Sequence, residues 1–216
     1  MNKRARWPLT AAFPEAFRWA DRWHKGQRRK GTAIPYIAHP MSVAALVLEH
    51  GGTQAQAVAA LLHDVMEDCG VPERDIRKRF GPEVAVLVRE CSDAVSKPKP
   101  PWEARKRAYI AHLAGARPQT LLISASDKLH NASAINRDLE SDGPKVWKRF
   151  SAPPARIVWY YQALLKVYKR RAGELSPEFR VLLRDLEAQV RDLTRRAKPG
   201  KAAPARTPAQ PGLFDR

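Results

Sequence analysis

At 216 residues the chain is long enough for one hydrophobic core and short for two, and 44% hydrophobic residues argue against wholesale disorder. No apolar run approaches the roughly 18 residues of a membrane span, and no signal-like apolar segment follows the basic N-terminus. Two cysteines, Cys69 and Cys91, are too few and too far apart for a disulfide framework or a thiolate zinc site. What is expected is a soluble, cytoplasmic protein whose formal net charge of +17 suits a polyanionic partner.

In chain order, Phe13, Phe17 and Ala20 recur at helical spacing and predict a helix over 13–25. Gly31, Thr32 and Pro35 make 27–37 a loop. Pro40 suits the first turn of a helix that runs to about His50 and stops at Gly51-Gly52. Thr53 is a suitable N-cap for a helix continuing to about Asp68. Helices follow over 72–80, 82–92 and 102–114, with a proline-rich surface loop over 96–101. The stripe Leu121, Leu122, Ala125, Leu129, Ala132 and Ile135 predicts a long helix over 118–139. Pro153-Pro154 restarts the chain into a helix over 157–171, and Ser176-Pro177-Glu178 opens a last one to about Arg196. No segment alternates as a strand would. The expected class is all-α, a helical bundle over 1–197, followed by a disordered basic Pro/Ala-rich tail over 198–216.

The charge is concentrated at the ends. Residues 1–30 carry nine Lys+Arg against two acids, and 195–216 carry six against one, so only +5 of the total belongs to 31–194. A nucleic-acid-binding helical module would rest on that overall charge alone, without a zinc-finger or RNA-binding signature.

The chemistry lies in the middle. Ala60-Leu61-Leu62-His63-Asp64-Val65-Met66-Glu67-Asp68 places four ionisable side chains at the end of an apolar helix, at spacings of three and four that share one surface. A solvated helix end would explain the acids by themselves. His39-Pro40 at a helix start and Asp127-Lys128-Leu129-His130-Asn131 inside an apolar helix add further candidates. His39, His63, Asp64 and Asp127 form a nitrogen–oxygen ligand set without thiolate, which suits an ion such as Mn²⁺ or Fe²⁺.

These segments, with Arg29-Lys30-Gly31-Thr32-Ala33-Ile34-Pro35-Tyr36 and Phe80-Gly81-Pro82-Glu83-Val84, resemble the HD-domain hydrolases of the RelA/SpoT type across about residues 13–170. With too little chain after Leu139 for a synthetase, the resemblance is to the stand-alone small alarmone hydrolases, a group that includes the metazoan SpoT homologues. It implies an HD-domain bundle that hydrolyses the 3′-pyrophosphate of (p)ppGpp with Mn²⁺. His39, His63, Asp64 and Asp127 would bind the metal. Glu67 and Asp68 would orient and deprotonate the attacking water, and Arg29, Lys30, Arg105, Lys106 and Asn131 would bind the nucleotide. The family's usual Arg-Lys-Ser-Gly-Glu-Pro-Tyr loop is replaced by a longer one, so ppApp stands beside ppGpp as a candidate. Ser126 replaces the usual Ala before the aspartate. Another nucleotide phosphate, such as NADPH, is an alternative substrate for the same site. In the tail, Gln210-Pro211-Gly212-Leu213-Phe214 resembles the peptide by which bacterial proteins dock on the replication sliding clamp.

Overall fold

Two stretches of the chain, 56–62 and 120–127, bury every consecutive side chain, and a helix enclosed on all sides has to form the centre of its fold. The computed structural model describes residues 9–93 and 98–198. Its helices are α1 (Ala12–Trp23), α2 (Ala38–Glu49), α3 (Gln54–Leu62), α4 (Val65–Cys69), α5 (Glu73–Cys91), α6 (Trp102–Gly115), α7 (Pro118–Asp142), α8 (Pro154–Arg171) and α9 (Pro177–Ala197), with 3₁₀ turns over Gly143–Arg149 and Ala172–Glu174. Among the described residues the sole extended pairing is an isolated bridge between Arg28 and Pro35. The class is all-α, as the periodicity predicts.

The helix starts follow local chemistry. Thr53 caps α3 in a reciprocal box: its hydroxyl accepts from Gln56 N at 3.3 Å, and Gln56 Oε1 accepts from Thr53 N at 2.8 Å. Pro118, Pro154 and Pro177 occupy first turns, where a missing N–H costs nothing. Within α5 the backbone kinks at Gly81, φ 89° and ψ 168°, which separates the two expected helices over 72–80 and 82–92.

Helix α3 packs on α1, α2, α5 and α7, and α7 in turn packs on α2, α5, α8 and α9. A hydrophobic cluster joins Ala16 in α1 to Leu193 in α9 through these two helices. Several polar side chains inside it pair with one another. Ser124 bonds both Tyr109 (2.8 Å) and Tyr168 (2.7 Å), and Thr120 bonds Glu90.

Two expectations change. The helix predicted from 53 to 68 breaks after Leu62, and α4 begins only at Val65. His63 Nδ1 takes the Ala60 carbonyl at 2.7 Å, the acceptor that the next helical N–H would use. The helix expected to end at 139 continues to Asp142, and a 3₁₀ turn that no sequence signal marked follows it. Residues 1–8 of the expected bundle, residues 94–97 with the start of the proline-rich stretch, and everything after Lys198, including the tail and its clamp-like peptide, lie outside the described residues.

The capping box makes a direct prediction. Thr53→Ala is expected to cost about 1 kcal/mol, a drop of roughly 2–4 °C in Tm for a chain of this size, measured by thermal denaturation.

Candidate metal centre and its cavity

The enclosed helices bring charge to the interior. His39 is the second residue of α2, His63 and Asp64 sit in the break between α3 and α4, and Asp127 ends the fully buried run of α7. Because α2, α3 and α7 pack on one another, these side chains converge. His39 Nε2 lies 3.2 Å from Asp127 Oδ1 and 3.5 Å from Asp64 Oδ2. His63 Nε2 lies 3.0 Å from Asp64 Oδ2 and 3.8 Å from Asp127 Oδ1. One donor atom each from His39, His63 and Asp64 falls within 4.8 Å of the others. Both Nε2 atoms are buried and lack a hydrogen-bond partner.

The opposite ring nitrogens are occupied. His63 Nδ1 donates to Ala60 O, and His39 Nδ1 shares a proton with His130 Nδ1 at 2.8 Å. Tyr36 OH donates to Asp64 Oδ2 at 2.5 Å. Asn131 Nδ2 donates to Asp127 Oδ1 at 2.5 Å, and the Lys128 ammonium pairs with Asp127 Oδ2. Electrostatics follow from this crowding. Burial opposes charge on His63, but Asp64 and Asp127 lift its pKa to about 9. Burial also opposes ionisation of Asp64, yet the two imidazoles hold it well below the carboxylate range. Burial, with His39 and Arg29 nearby, pushes His130 down to about 4.

The cluster opens into a chamber of about 200 Å³ lined by Asp64, Glu67, Asp68, Asp93 and Asp127. This adjoins a cavity of about 700 Å³ that holds Arg29, Lys30, Arg137, Arg149 and Asn131 in its wall. Tyr36, His39, Asp68, Lys106, Lys128 and Asn131 line both. Glu67 Oε1 accepts from Lys99 at 2.9 Å, and its Oε2 accepts from Asp93 N at 3.4 Å. Burial and the Asp93 carboxylate raise the Glu67 pKa against the pull of Lys99. Lys106 pairs with Asp93, and burial together with Lys128 pushes its pKa down.

The structure thus gathers His39, His63, Asp64, Asp127, Glu67 and Asp68 at one end, and Arg29, Lys30 and Asn131 along the larger cavity. Arg29 donates to Asn131 Oδ1 at 2.6 Å. Arg105 lines neither chamber: it bonds Asp93 at 2.5 Å and Pro100 O at 3.2 Å. Sequence reasoning passed over Tyr36, Asp93, Lys128 and His130 as site residues. Lys128 and His130 flank Asp127 in its own motif, which was a usable signal. Asp93 carried none, because its role depends on tertiary contacts with Glu67, Arg105 and Lys106.

The sequence profile of the HD domain family matches residues 16–155. The guanosine-3′,5′-bis(diphosphate) 3′-pyrophosphohydrolase MESH1 of Xenopus tropicalis is 35% identical over 169 residues, spanning 77% of this chain and 88% of the relative. The MESH1 enzyme of Homo sapiens is 33% identical over 166 residues, spanning 76% and 86%. Among solved structures, a metazoan ortholog of SpoT that hydrolyzes ppGpp superimposes with a TM-score of 0.65 at 30% identity, covering 90% of this chain and 99% of that one.

The wall of the larger cavity is sensitive at Gly31, whose φ of +74° disfavours a side chain and whose Cβ would come 2.5 Å from Arg149 Cδ. Arg149 is held by Asp138 (2.7 Å) and Asp142 (2.5 Å). Gly26 shares the positive φ, +77°, but has open space. Alanine at either position costs about 1–2 kcal/mol from the backbone. Gly31→Ala is expected to lower Tm further than Gly26→Ala, by the cost of displacing Arg149, as read by thermal denaturation of the two variants.

Proposed function

The chain belongs to the HD-domain family, and within it we propose a Mn²⁺-dependent hydrolase that removes the 3′-pyrophosphate of ppGpp or a related alarmone such as ppApp. The observation that carries this reading is the pair of buried, unpartnered imidazole nitrogens, His39 Nε2 and His63 Nε2, facing two carboxylates at the neck of a cation-lined cavity. The activity named for the MESH1 relatives supports the choice of substrate.

The residues present fit a divalent ion. Leaving two desolvated nitrogens without partners costs free energy unless something accepts their lone pairs. Each ring is oriented through its other nitrogen, by Ala60 O and by His130, as metal-binding histidines require. Two imidazoles and two carboxylates, with no thiolate, suit Mn²⁺. His39, His63, Asp64 and Asp127 would hold it. Bound there, the ion supplies Lewis-acid stabilisation of charge on the phosphoryl oxygens and favours ionisation of water near neutral pH.

The remaining steps belong to the chain. Glu67 is held by Lys99 and by the backbone of Asp93, and its raised pKa suits a group that takes a proton from the attacking water. Asp68 faces the same chamber and orients that water. The water oxygen bonds to the phosphorus attached to O3′ while the P–O3′ bond breaks. The electron pair goes to O3′, which takes up a proton, leaving a free 3′-hydroxyl and pyrophosphate. Lys106 and Lys128, on the wall shared by both chambers, neutralise the phosphates. Arg29, Lys30 and Asn131 face the nucleoside, where a planar guanidinium can stack on a purine.

Two measurements test this. Metal analysis with turnover is expected to show His63→Ala and Asp127→Ala losing bound Mn²⁺ and activity together, while Glu67→Ala keeps the metal and loses at least 100-fold in kcat. Full activity in metal-free Asp127→Ala would contradict the mechanism. In a product assay on ppGpp, ppApp and NADPH, pyrophosphate should appear from a 3′-pyrophosphorylated nucleotide only with the divalent ion present. Faster phosphate release from NADPH would move the assignment to that substrate.

A further inference from the structure

The larger cavity and the chamber meet at an exposed carboxylate. Asp68 stands at the end of α4 with its side chain open to solvent, so its own packing does not fix its direction. Its Oδ2 accepts a hydrogen bond from Gln27 Nε2 at 3.0 Å, and Gln27 Oε1 lies 2.7 Å from His24 Nδ1. The polarity of this chain is determined. An ionised carboxylate can only accept, so Gln27 must turn its amide nitrogen to Asp68 and its carbonyl oxygen to His24. That oxygen also only accepts, so the His24 proton sits on Nδ1. Cys69 Sγ, 3.6 Å from the same nitrogen, donates its own proton to Trp23 O at 3.4 Å.

His24 is itself fixed. It is 3% exposed, and its ring stacks on Tyr36 with centroids 4.7 Å apart and planes tilted by 34°. Tyr36 in turn donates to Asp64. Thus one buried imidazole stands behind both Asp64 and Asp68. Its Nε2 is buried without a partner, a desolvation cost that an apolar ring filling the same space would not carry.

We infer that His24 and Gln27 form a positioning relay that holds Asp68 in the orientation used for hydrolysis, an inference that rests on the role given to Asp68 above. Neither residue acts on the substrate directly in this scheme. Both act by keeping a solvent-exposed carboxylate in one place.

The test is steady-state turnover of ppGpp with Mn²⁺, together with metal analysis, on Gln27→Leu, His24→Leu, His24→Asn, Asp68→Asn and the Gln27→Leu/Asp68→Asn double variant. Gln27→Leu and His24→Leu should lower kcat roughly tenfold, the size of one hydrogen bond to a charged group, with KM and bound metal unchanged. His24→Asn, whose amide can replace the Nδ1–H, should keep most of the turnover. On the Asp68→Asn background Gln27→Leu should add nothing. Should His24→Leu fail to fold, half-buried Gln27 still carries the test. The relay is overturned if Asp68→Asn loses turnover while Gln27→Leu keeps it. It is also overturned if the Gln27 effect persists undiminished without Asp68, or if the effect is confined to KM, since Gln27 lines the larger cavity. Wild-type turnover in Asp68→Asn would remove the catalytic role of Asp68 itself, and the relay with it.

Discussion

Two carboxylates and two imidazoles meeting in the interior are the constraint on which the rest of the molecule depends. Ion pairs out of water repay their desolvation only when every remaining lone pair and proton is satisfied. Here Tyr36 serves Asp64, and Asn131 and Lys128 serve Asp127. Only the two Nε2 atoms of His39 and His63 are left over in the cluster. The fold supplies that environment by enclosing the 56–62 run of α3 and the 120–127 run of α7, so the segments that deliver His63 and Asp127 have no solvent-facing side to lose charge to. The helix break at 63–64 belongs to the same constraint, because His63 turns its Nδ1 to the backbone and leaves Nε2 facing the carboxylates.

Outward from the cluster the charge changes sign. The small chamber is acidic, with Glu67, Asp68 and Asp93 added to the buried pair, whereas the larger cavity presents Arg29, Lys30, Lys106, Lys128 and Arg149. A cation and a polyphosphate side by side would find complementary surroundings. Lys106 and Lys128 stand on the boundary, both over the ring of Tyr160 at 4.9 and 5.9 Å. Two buried ammoniums so placed are stabilised by an arriving anion. The proposed nucleotide chemistry therefore uses Arg29 and Lys30 from the basic N-terminal stretch together with charge that 31–194 carries in modest excess, and owes little to the rest of the basic ends that make up most of the +17.

Much of this was legible in the chain. The all-α class, the starts of α3 and α9 and the kink at Gly81 follow from periodicity, capping residues and proline placement. The four convergent His/Asp residues stood out because ionisable side chains interrupt apolar helices. The break after Leu62 was not legible, since spacing reports which residues share a helical face and not whether a side chain will take over a backbone acceptor. Arg105 shows a similar limit: a basic residue on a helix says nothing about which anion it meets, and here it meets Asp93. Gln27 lay at the start of the expected loop over 27–37, but its bond to Asp68 spans 41 positions and is set by how α1 packs on α3 and α4.

Diffraction at the manganese absorption edge from crystals grown with Mn²⁺ tests the central claim most directly. A metal-centred site predicts an anomalous peak within bonding distance of His39 Nε2, His63 Nε2 and the carboxylates of Asp64 and Asp127. A peak elsewhere, with these four side chains still paired only to one another, would contradict it.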